Sequence, residues 1–369
     1  MTPLSPLRDP DVTPLARKLA VRLAAGGPVS VYDYMKACLT DSEYGYYRVK
    51  AAVGKDGDFI TAPEISQVFG EFIGLWAGEV WRQMGEPASV RLVELGPGRG
   101  TLMADALRAL KVLPRFLVGA TVHLIETSTA LQEKQRAALA YSPVRIFWHE
   151  DLKDVPDGPA IIIANEFFDC LPVQQFVFDA AAGGWRERMV GLEDGAFRFA
   201  AGPVVDPSQG LDLAVATEIE DGAIFEHCPA VGGIIGTFAA RSPLAALVID
   251  YGYSRRSFGD TVQAVRGHRF AGLFEAPGES DITAHVDFLH LKQAAADANM
   301  NTFGPMPMGE WLLRLGLEAR VGQLLRRASE EEAREMRSRV ARLVDPAQMG
   351  VLFKVLACTN VALAPPPPF

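Results

Sequence analysis

The chain has 369 residues, 49% apolar and 22% charged, a length at which one core seldom keeps growing, so two lobes or one decorated domain are expected. Its 45 Asp and Glu against 36 Lys and Arg leave a net charge of -9, which argues against a general binder of nucleic-acid phosphates. This composition also excludes disorder over most of the length.

Cys38, Cys170, Cys228 and Cys358 are far apart and form no C-x-x-C pair, so neither a disulfide framework nor a zinc site is expected. No apolar run approaches the roughly 20 residues of a membrane helix. The start, with Asp9 and Asp11 beside the lone Arg8, has neither a signal-peptide core nor an Arg-rich transit pattern. A cytoplasmic protein without membrane insertion is the expectation.

In chain order, residues 14–25 form a short predicted helix, and Ser30 caps a second that runs to Leu39. From Asp41 to Pro63, Tyr44, Tyr46 and Tyr47 stand among Gly45, Gly54 and Gly57, which is loop chemistry. Ile65, Val68, Phe69, Phe72, Ile73, Trp76 and Val80 then recur at helical spacing and predict an amphipathic helix over 65–84. From Val90 the pattern repeats strand, turn and helix, with strands expected at 90–95, 120–126, 144–148, 160–164 and 244–250. Shorter alternating runs between residues 174 and 235 predict an antiparallel insertion. After a Gly-rich stretch come a helix near 284–298 with Asp281 as a candidate cap, a strand near 300–303, helices at 309–327 and 329–343, and a last strand at 351–357. Ser329 with Glu332 makes a capping box. The fold class is α/β: a Rossmann-like seven-stranded core with an N-terminal helical and loop extension (1–85), core segments at 86–173 and 244–369, and a β-rich insertion at 174–243.

The segment Leu92-Val93-Glu94-Leu95-Gly96-Pro97-Gly98-Arg99-Gly100-Thr101-Leu102 carries an apolar strand through a three-glycine turn into a helix. Glycine permits positive φ angles and lets backbone touch a bound molecule at the open N-terminus of the helix. A tight turn with no ligand is the plainer alternative. Spacing separates two ligand classes. A dinucleotide site needs G-x-G-x-x-G under its pyrophosphate, whereas here the third glycine, Gly100, comes one residue early and Thr101 fills the required position. Glu94 would repel a pyrophosphate but suits a cationic ligand with an amino-acid end, as S-adenosylmethionine is. Glu126, at the end of the second strand, can accept both ribose hydroxyls. Past the third strand, Glu150-Asp151-Leu152 offers a carboxylate for the adenine amino group and Leu152 for its ring face.

With these residues in this order the chain resembles a seven-stranded, S-adenosylmethionine-dependent methyltransferase. The segments Gly57 to Ser66, Glu94 to Gly100, Asn165-Glu166-Phe167-Phe168-Asp169, Asp281 to Phe288 and Phe353-Lys354-Val355-Leu356 resemble the MidA-like family across nearly the whole chain. That family includes the mitochondrial complex I assembly factor that dimethylates an arginine of a core complex I subunit. The resemblance implies a class I methyltransferase core, S-adenosylmethionine as cofactor, and a protein substrate, with arginine N-methylation of a respiratory complex I-type subunit as the activity. The lack of a transit pattern fits a bacterial member. A non-catalytic assembly factor on the same frame, a small-molecule methyltransferase and a dinucleotide-dependent oxidoreductase are the alternatives. Exposed apolar residues of the insertion could support self-association.

Asn165-Glu166-Phe167-Phe168 closes the fourth strand at the edge where open α/β sheets place ligands, and in register it resembles the Asn-Pro-Pro-Tyr signature of amino methyltransferases without its two prolines. A guanidinium acceptor needs carboxylates for its planar fork and an aromatic face for its charge. Glu166 and Phe168 can supply both, with Asp169 and Glu64 as further carboxylates; the plainer role for Asp169 is a turn or cap residue. His285 is either a polar positioner or base at the acceptor or, with Asp281 and Asp287, part of a helix start. Five residues apart, His285 and His290 do not share a helical face, and no metal is expected. Residues 41–64 are expected to fold over the cofactor as a lid.

Overall fold

The structure, a computed structural model, describes residues 12–49, 61–205, 219–360 and 363–369. It divides into two compact units, one within Met1–Ala52, Cys170–Ala230 and Arg256–His285, the other within Val53–Asp169, Val231–Arg255 and Val286–Phe369. The N-terminal helices therefore share a unit with the β-rich segment, although the chain separates them.

In the second unit, seven strands build the central sheet: β1 (Val90–Leu95), β2 (Ala120–Ile125), β3 (Arg145–His149), β4 (Ala160–Asn165), β5 (Leu244–Tyr253), β6 (Asn301–Pro307) and β7 (Phe353–Thr359). Their spatial order is β6-β7-β5-β4-β1-β2-β3. Strands β1 to β5 run parallel, and β7 lies antiparallel between β5 and β6. The central strands read as near-continuous apolar runs because both faces are covered; every residue of β4 is buried. Val286–Asp287 adds a short parallel bridge to the end of β5.

Register decides where a ligand can go. Leu95 stands opposite Ile125 on one side and Ala164 on the other, so the C-terminal ends of β4, β1 and β2 lie side by side. Between β1 and β4 the winding of the sheet reverses, which is the crevice open α/β sheets use for binding.

The helix expected over 65–84 is broken at its start. One turn, Ala62–Ile65, ends at an extended Ser66, whose hydroxyl accepts the Val68 N–H at 3.3 Å and caps the helix Gln67–Gln83. This helix packs on Thr101–Ala109 through Gly70 and Gly74. A Cβ on Gly74 would stand 2.5 Å from the Ala106 carbonyl oxygen, and one on Gly70 2.7 Å from Asp105 Cβ. The two backbones nearly touch, and that contact fixes the helix that follows the three-glycine turn.

Other boundaries shift for local reasons. Gly316, at φ +95°, splits the expected 309–327 helix into Met308–Arg314 and Leu317–Leu325. The last strand is preceded by one helical turn, Met349–Leu352. The helix expected near 284–298 begins at Phe288, capped by Asp287, whose Oδ1 accepts the N–H groups of Leu289 and His290 at 2.9 and 3.1 Å. Asp281 is not its cap; it lies in the strand Asp281–Thr283. The Ser329–Glu332 capping box is present at the head of Glu330–Val344.

The first unit holds the antiparallel segment. Gly184–Glu193 pairs with Val29–Ser30, Gln174–Asp179 and Ala196–Val205, and Ile224–His227 joins Gln174–Asp179. The Gly-rich stretch after β5 contributes a second, three-stranded sheet of Gln263–Arg266, Arg269–Ala271 and Asp281–Thr283. Leu15, Leu19, Tyr34, Met35 and Leu39 from the two N-terminal helices form this unit's core with Val190, Phe197 and Ile282.

Gly74→Ala should lower the unfolding free energy by about 1–3 kcal/mol, because overpacking there outweighs the helix propensity gained. Gly236→Ala, where an added Cβ meets nothing within 4 Å, should be neutral or stabilising by up to about 1 kcal/mol. Urea titration followed by tryptophan fluorescence measures both, and equal stability of the two variants would refute the close helix contact.

Candidate active site

Gly96, Gly98 and Gly100 all hold left-handed backbone, at φ +62°, +51° and +82°. Two of them are also confined: a Cβ on Gly96 would lie 3.3 Å from Phe167 Cδ2, and one on Gly100 3.3 Å from Gln135 Cα. The turn is tied to the sheet by the Gly96 N–H, which donates to the Ile125 carbonyl at 3.1 Å, and closed on itself by the Gly100 N–H on the Pro97 carbonyl at 2.8 Å. Gly100 is the N-cap of Thr101–Ala109 and brings no capping side chain, so a ligand can approach the first-turn N–H groups.

Glu94 is 3% exposed, and its Oε2 has no hydrogen-bond partner among the described residues. Burial pushes its carboxyl up to about 8. Asn165 Oδ1, at the end of the neighbouring β4, is a second buried acceptor without a donor among the described residues. Such acceptors each cost about 1–3 kcal/mol when left unsatisfied, so the pair suits a ligand that brings N–H groups and positive charge.

Glu126 is buried and already oriented. Its Oε1 accepts the Ser128 N–H at 2.7 Å and its Oε2 the Gln135 side-chain amide at 3.2 Å; burial raises its pKa, and these bonds oppose the shift. Gln135, which the sequence reading missed, links three parts of the site. The same amide nitrogen donates to the Gly98 carbonyl at 2.8 Å, while its Oε1 accepts the Trp148 indole N–H at 2.9 Å. The available signal was its place one turn after Leu131 on the buried stripe of helix Thr129–Ala138.

Asp151 and Leu152 follow β3. Leu152 is buried, and its carbonyl accepts from Arg241 Nη2 at 2.7 Å. Asp151 is exposed and caps the short turn after it, its Oδ1 accepting the Lys153 N–H at 2.9 Å.

At the end of β4, Glu166 is a non-glycine residue at φ +49°. Its Oε1 accepts the Ala62 N–H at 3.1 Å and the Asn165 amide at 3.2 Å. Burial, reinforced by Asp169, raises this carboxyl to about 7 against the pull of those bonds and of Arg342. Phe168 is buried, with its ring edge-on to Phe167; the half-buried Phe167 is the ring that meets the glycine turn. Asp169 is buried in the same turn. Its N–H and those of Phe167 and Phe168 converge on Asp250 Oδ2 at 3.3, 3.2 and 3.0 Å. Asp250, also missed in sequence, is fully buried on β5, and burial, then Asp169 and Glu166, lift its carboxyl well above the usual range.

Glu64 is engaged at the glycine turn: its Oε1 accepts the Thr101 hydroxyl at 2.6 Å, and Arg99 Nη1 lies 3.8 Å from its Oε2. His285 belongs to the other unit, where its N–H donates to Thr261 Oγ1 at 2.9 Å. Of the expected lid, residues 50–60 with Asp58 lie outside the described residues. Tyr47, described in the first unit, has its hydroxyl 3.0 Å from Asp281 Oδ1 and 2.9 Å from Cys170 Sγ. Among the described residues no group of three or more His, Cys, Asp or Glu is arranged to hold a metal ion, and no helix is long and apolar enough to cross a membrane.

Residues 72–306 match a family model described as "Putative S-adenosyl-L-methionine-dependent methyltransferase". Protein arginine methyltransferase NDUFAF7, mitochondrial, of Homo sapiens is 36% identical over 381 residues, which cover 95% of this chain and 84% of the human protein. The mitochondrial NDUFAF7 homolog of Drosophila melanogaster, also named a protein arginine methyltransferase, is 35% identical over 394 residues, 95% of this chain and 86% of that protein. A crystal structure of a superfamily member from Burkholderia thailandensis bound to S-adenosyl-homocysteine superposes with a TM-score of 0.80 at 29% identity, covering 95% of this chain and 93% of that one. These relatives bear out the α/β methyltransferase fold read from the glycine turn. Their mitochondrial names overturn the cytoplasmic localisation expected from the sequence. The chain belongs to the family of S-adenosylmethionine-dependent methyltransferases whose model its residues 72–306 match.

Proposed function

We propose that this methyltransferase acts on an arginine side chain of a protein, and that the protein is a subunit of a complex I-type respiratory assembly. The observation that carries the reading is Glu166: a carboxyl beside Asn165, on a strained turn that packs against the glycine turn. Curated relatives named protein arginine methyltransferases support the acceptor class, and the resemblance to the MidA-like family supports the complex I subunit.

S-adenosylmethionine fits the residues present and supplies a methyl group activated by its sulfonium charge. Glu94 is placed to pair with the amino-acid end of the ligand, the three glycines let backbone approach it, and Glu126, preset by Ser128 and Gln135, accepts the ribose hydroxyls. Leu152 offers an apolar side for the adenine, with Asp151 as the candidate partner of its amino group. At the acceptor end, ionised Glu166 can hold the guanidinium fork, assisted by Asn165 and Asp169, while Phe167 or Phe168 offers a face to the cation. Methylation of a guanidinium releases one proton. A carboxyl raised to about 7 can take it near neutral pH, where an ordinary Glu would be a weaker base.

Incubation with methyl-labelled S-adenosylmethionine and purified complex I core subunits should yield methylarginine by mass spectrometry; bound cofactor without arginine labelling refutes the acceptor assignment. Gly98→Val should cost about 100-fold in S-adenosylmethionine affinity by calorimetry, roughly 2.7 kcal/mol, since a β-branched residue cannot hold φ +51° without strain. Unaltered affinity in the folded variant would contradict the backbone-approach role.

Cofactor affinity should also depend on pH through Glu94. In the free protein this carboxyl is raised to about 8, so below that pH it is protonated and must ionise to pair with a cation. Affinity should therefore rise by up to about tenfold per pH unit from pH 6 toward 8, with proton release on binding, and then level off. Glu94→Gln should flatten the slope; an equal slope in that variant assigns the proton elsewhere.

A further inference from the structure

Among the described residues, Asp250 hydrogen-bonds to none of the groups assigned to the cofactor, yet it organises the turn that carries Glu166. Its Oδ2 receives three consecutive backbone N–H groups, from Phe167, Phe168 and Asp169, and its Oδ1 receives the Tyr251 N–H at 3.0 Å. Successive amides converging on one acceptor make an anion-binding turn, and the residue that leads into it sets the direction of the first amide. That residue is Glu166, whose N–H is held by the Ile249 carbonyl at 2.9 Å, next to Asp250 in β5, and whose φ of +49° is otherwise unfavourable for a side chain with a Cβ. The cross-strand partner of Asp250 is Lys354, but its ammonium is engaged by the carbonyls of Gly252 at 3.3 Å and Leu352 at 3.1 Å. Among the described residues, the charged groups bearing on the turn are Asp169, Glu166 and Asp250 themselves, with Arg342 acting on Glu166 from helix Glu330–Val344.

We propose that Asp250 is a positioning residue for methyl transfer: by gathering the 167–169 amides it holds Glu166 in the left-handed conformation that aims the Glu166 carboxyl at the acceptor. The proposal rests on the reading of Glu166 as the acceptor-side carboxyl, and two readouts keep the two apart.

The first readout needs no acceptor. In Asp250→Ala, hydrogen exchange at residues 167–169 should accelerate by about 100-fold or more, while S-adenosyl-homocysteine affinity stays within about threefold of the unaltered protein. Asp250→Asn keeps an oxygen for the three amides and should keep most of their protection. The second readout is label transfer from methyl-labelled S-adenosylmethionine to purified complex I core subunits. Asp250→Ala should lower its rate by about tenfold or more and move the acid limb of the pH–rate profile to lower pH, because Glu166, freed from its buried turn, returns toward the ordinary carboxylate range; Asp250→Asn should restore at least about a third of the rate. A merely weakened fold would reduce the rate without moving the limb.

Unchanged exchange in a folded Asp250→Ala protein overturns the proposal, as does an unchanged transfer rate. If Asp250→Ala does not fold, a folded Asp250→Asn protein that loses both the protection and the rate overturns it instead. Transfer unaffected by Glu166→Gln overturns the reading of Glu166, whatever the Asp250 variants do.

Discussion

A buried carboxyl with no cation beside it is costly, and among the described residues Glu94 holds that position at the end of β1, with one oxygen lacking any hydrogen bond. The surrounding fold is arranged so that the cost falls where a ligand can relieve it. The order β4-β1-β2 brings three strand ends together, and each carries a polar side chain: Asn165, Glu94 and Glu126. Two of the three hold a buried acceptor atom that no donor among the described residues satisfies, whereas Glu126 accepts one bond on each oxygen, from Ser128 and Gln135, and keeps lone pairs for further donors. The division fits a ligand that is cationic at one end and brings neutral hydroxyls at the other.

Holding these groups still is the task of residues that touch no proposed ligand. The Gly70 and Gly74 contacts press helix Gln67–Gln83 onto Thr101–Ala109, which sets the start of the helix behind the glycine turn. Gln135 joins the Gly98 carbonyl, Glu126 and Trp148 through one side chain, so the turn, the acid after β2 and β3 are tied together. The turn Ala62–Ile65 plays a similar part from the other side, with the Ala62 N–H on Glu166 and Glu64 on Thr101. Glu166 in left-handed backbone represents strain that neighbouring contacts must hold in place, a pattern commonly found where a fold binds or reacts, whereas the three glycines take that region without such a cost.

Much of this was legible in the sequence wherever a local pattern has one structural solution. The five parallel strands lie within a few residues of their expected places; the four inner ones read as buried apolar runs closed by turn residues, and the glycine spacing with Glu94 separates a methyl donor from a dinucleotide. What escaped depends on contacts distant in the chain. Gln135 and Asp250 look like ordinary residues of a helix and a strand; their roles exist only once Gly98, 37 residues away, and Phe168, 82 residues away, are folded against them. Phe167 and Phe168 are indistinguishable by type, and only the turn geometry decides which ring meets Gly96. The break at Ser66 was hidden because the apolar stripe continues through it, and the strands within 263–283 pair mostly with one another over short runs, too short for an alternation to register.

The raised values of Glu94 and Glu166 share one electrostatic logic. A sulfonium donor and a guanidinium acceptor are both cations, and bringing them to reacting distance in a site shielded from water is opposed by their mutual repulsion. In the proposed reading an acid on each side, the buried Glu94 at about 8 and the partly buried Glu166 at about 7, is largely neutral in the free protein below those values and can ionise as each cation arrives. Negative charge then develops together with its partner, so the empty fold need not hold several unpaired carboxylates at once. Asp169 and Asp250 extend the same arrangement behind Glu166, where their proximity keeps the turn's carboxyls from all ionising together. A neutral acceptor would gain little from so much acid at the end of β4, which is the electrostatic reason to prefer a cationic side chain there.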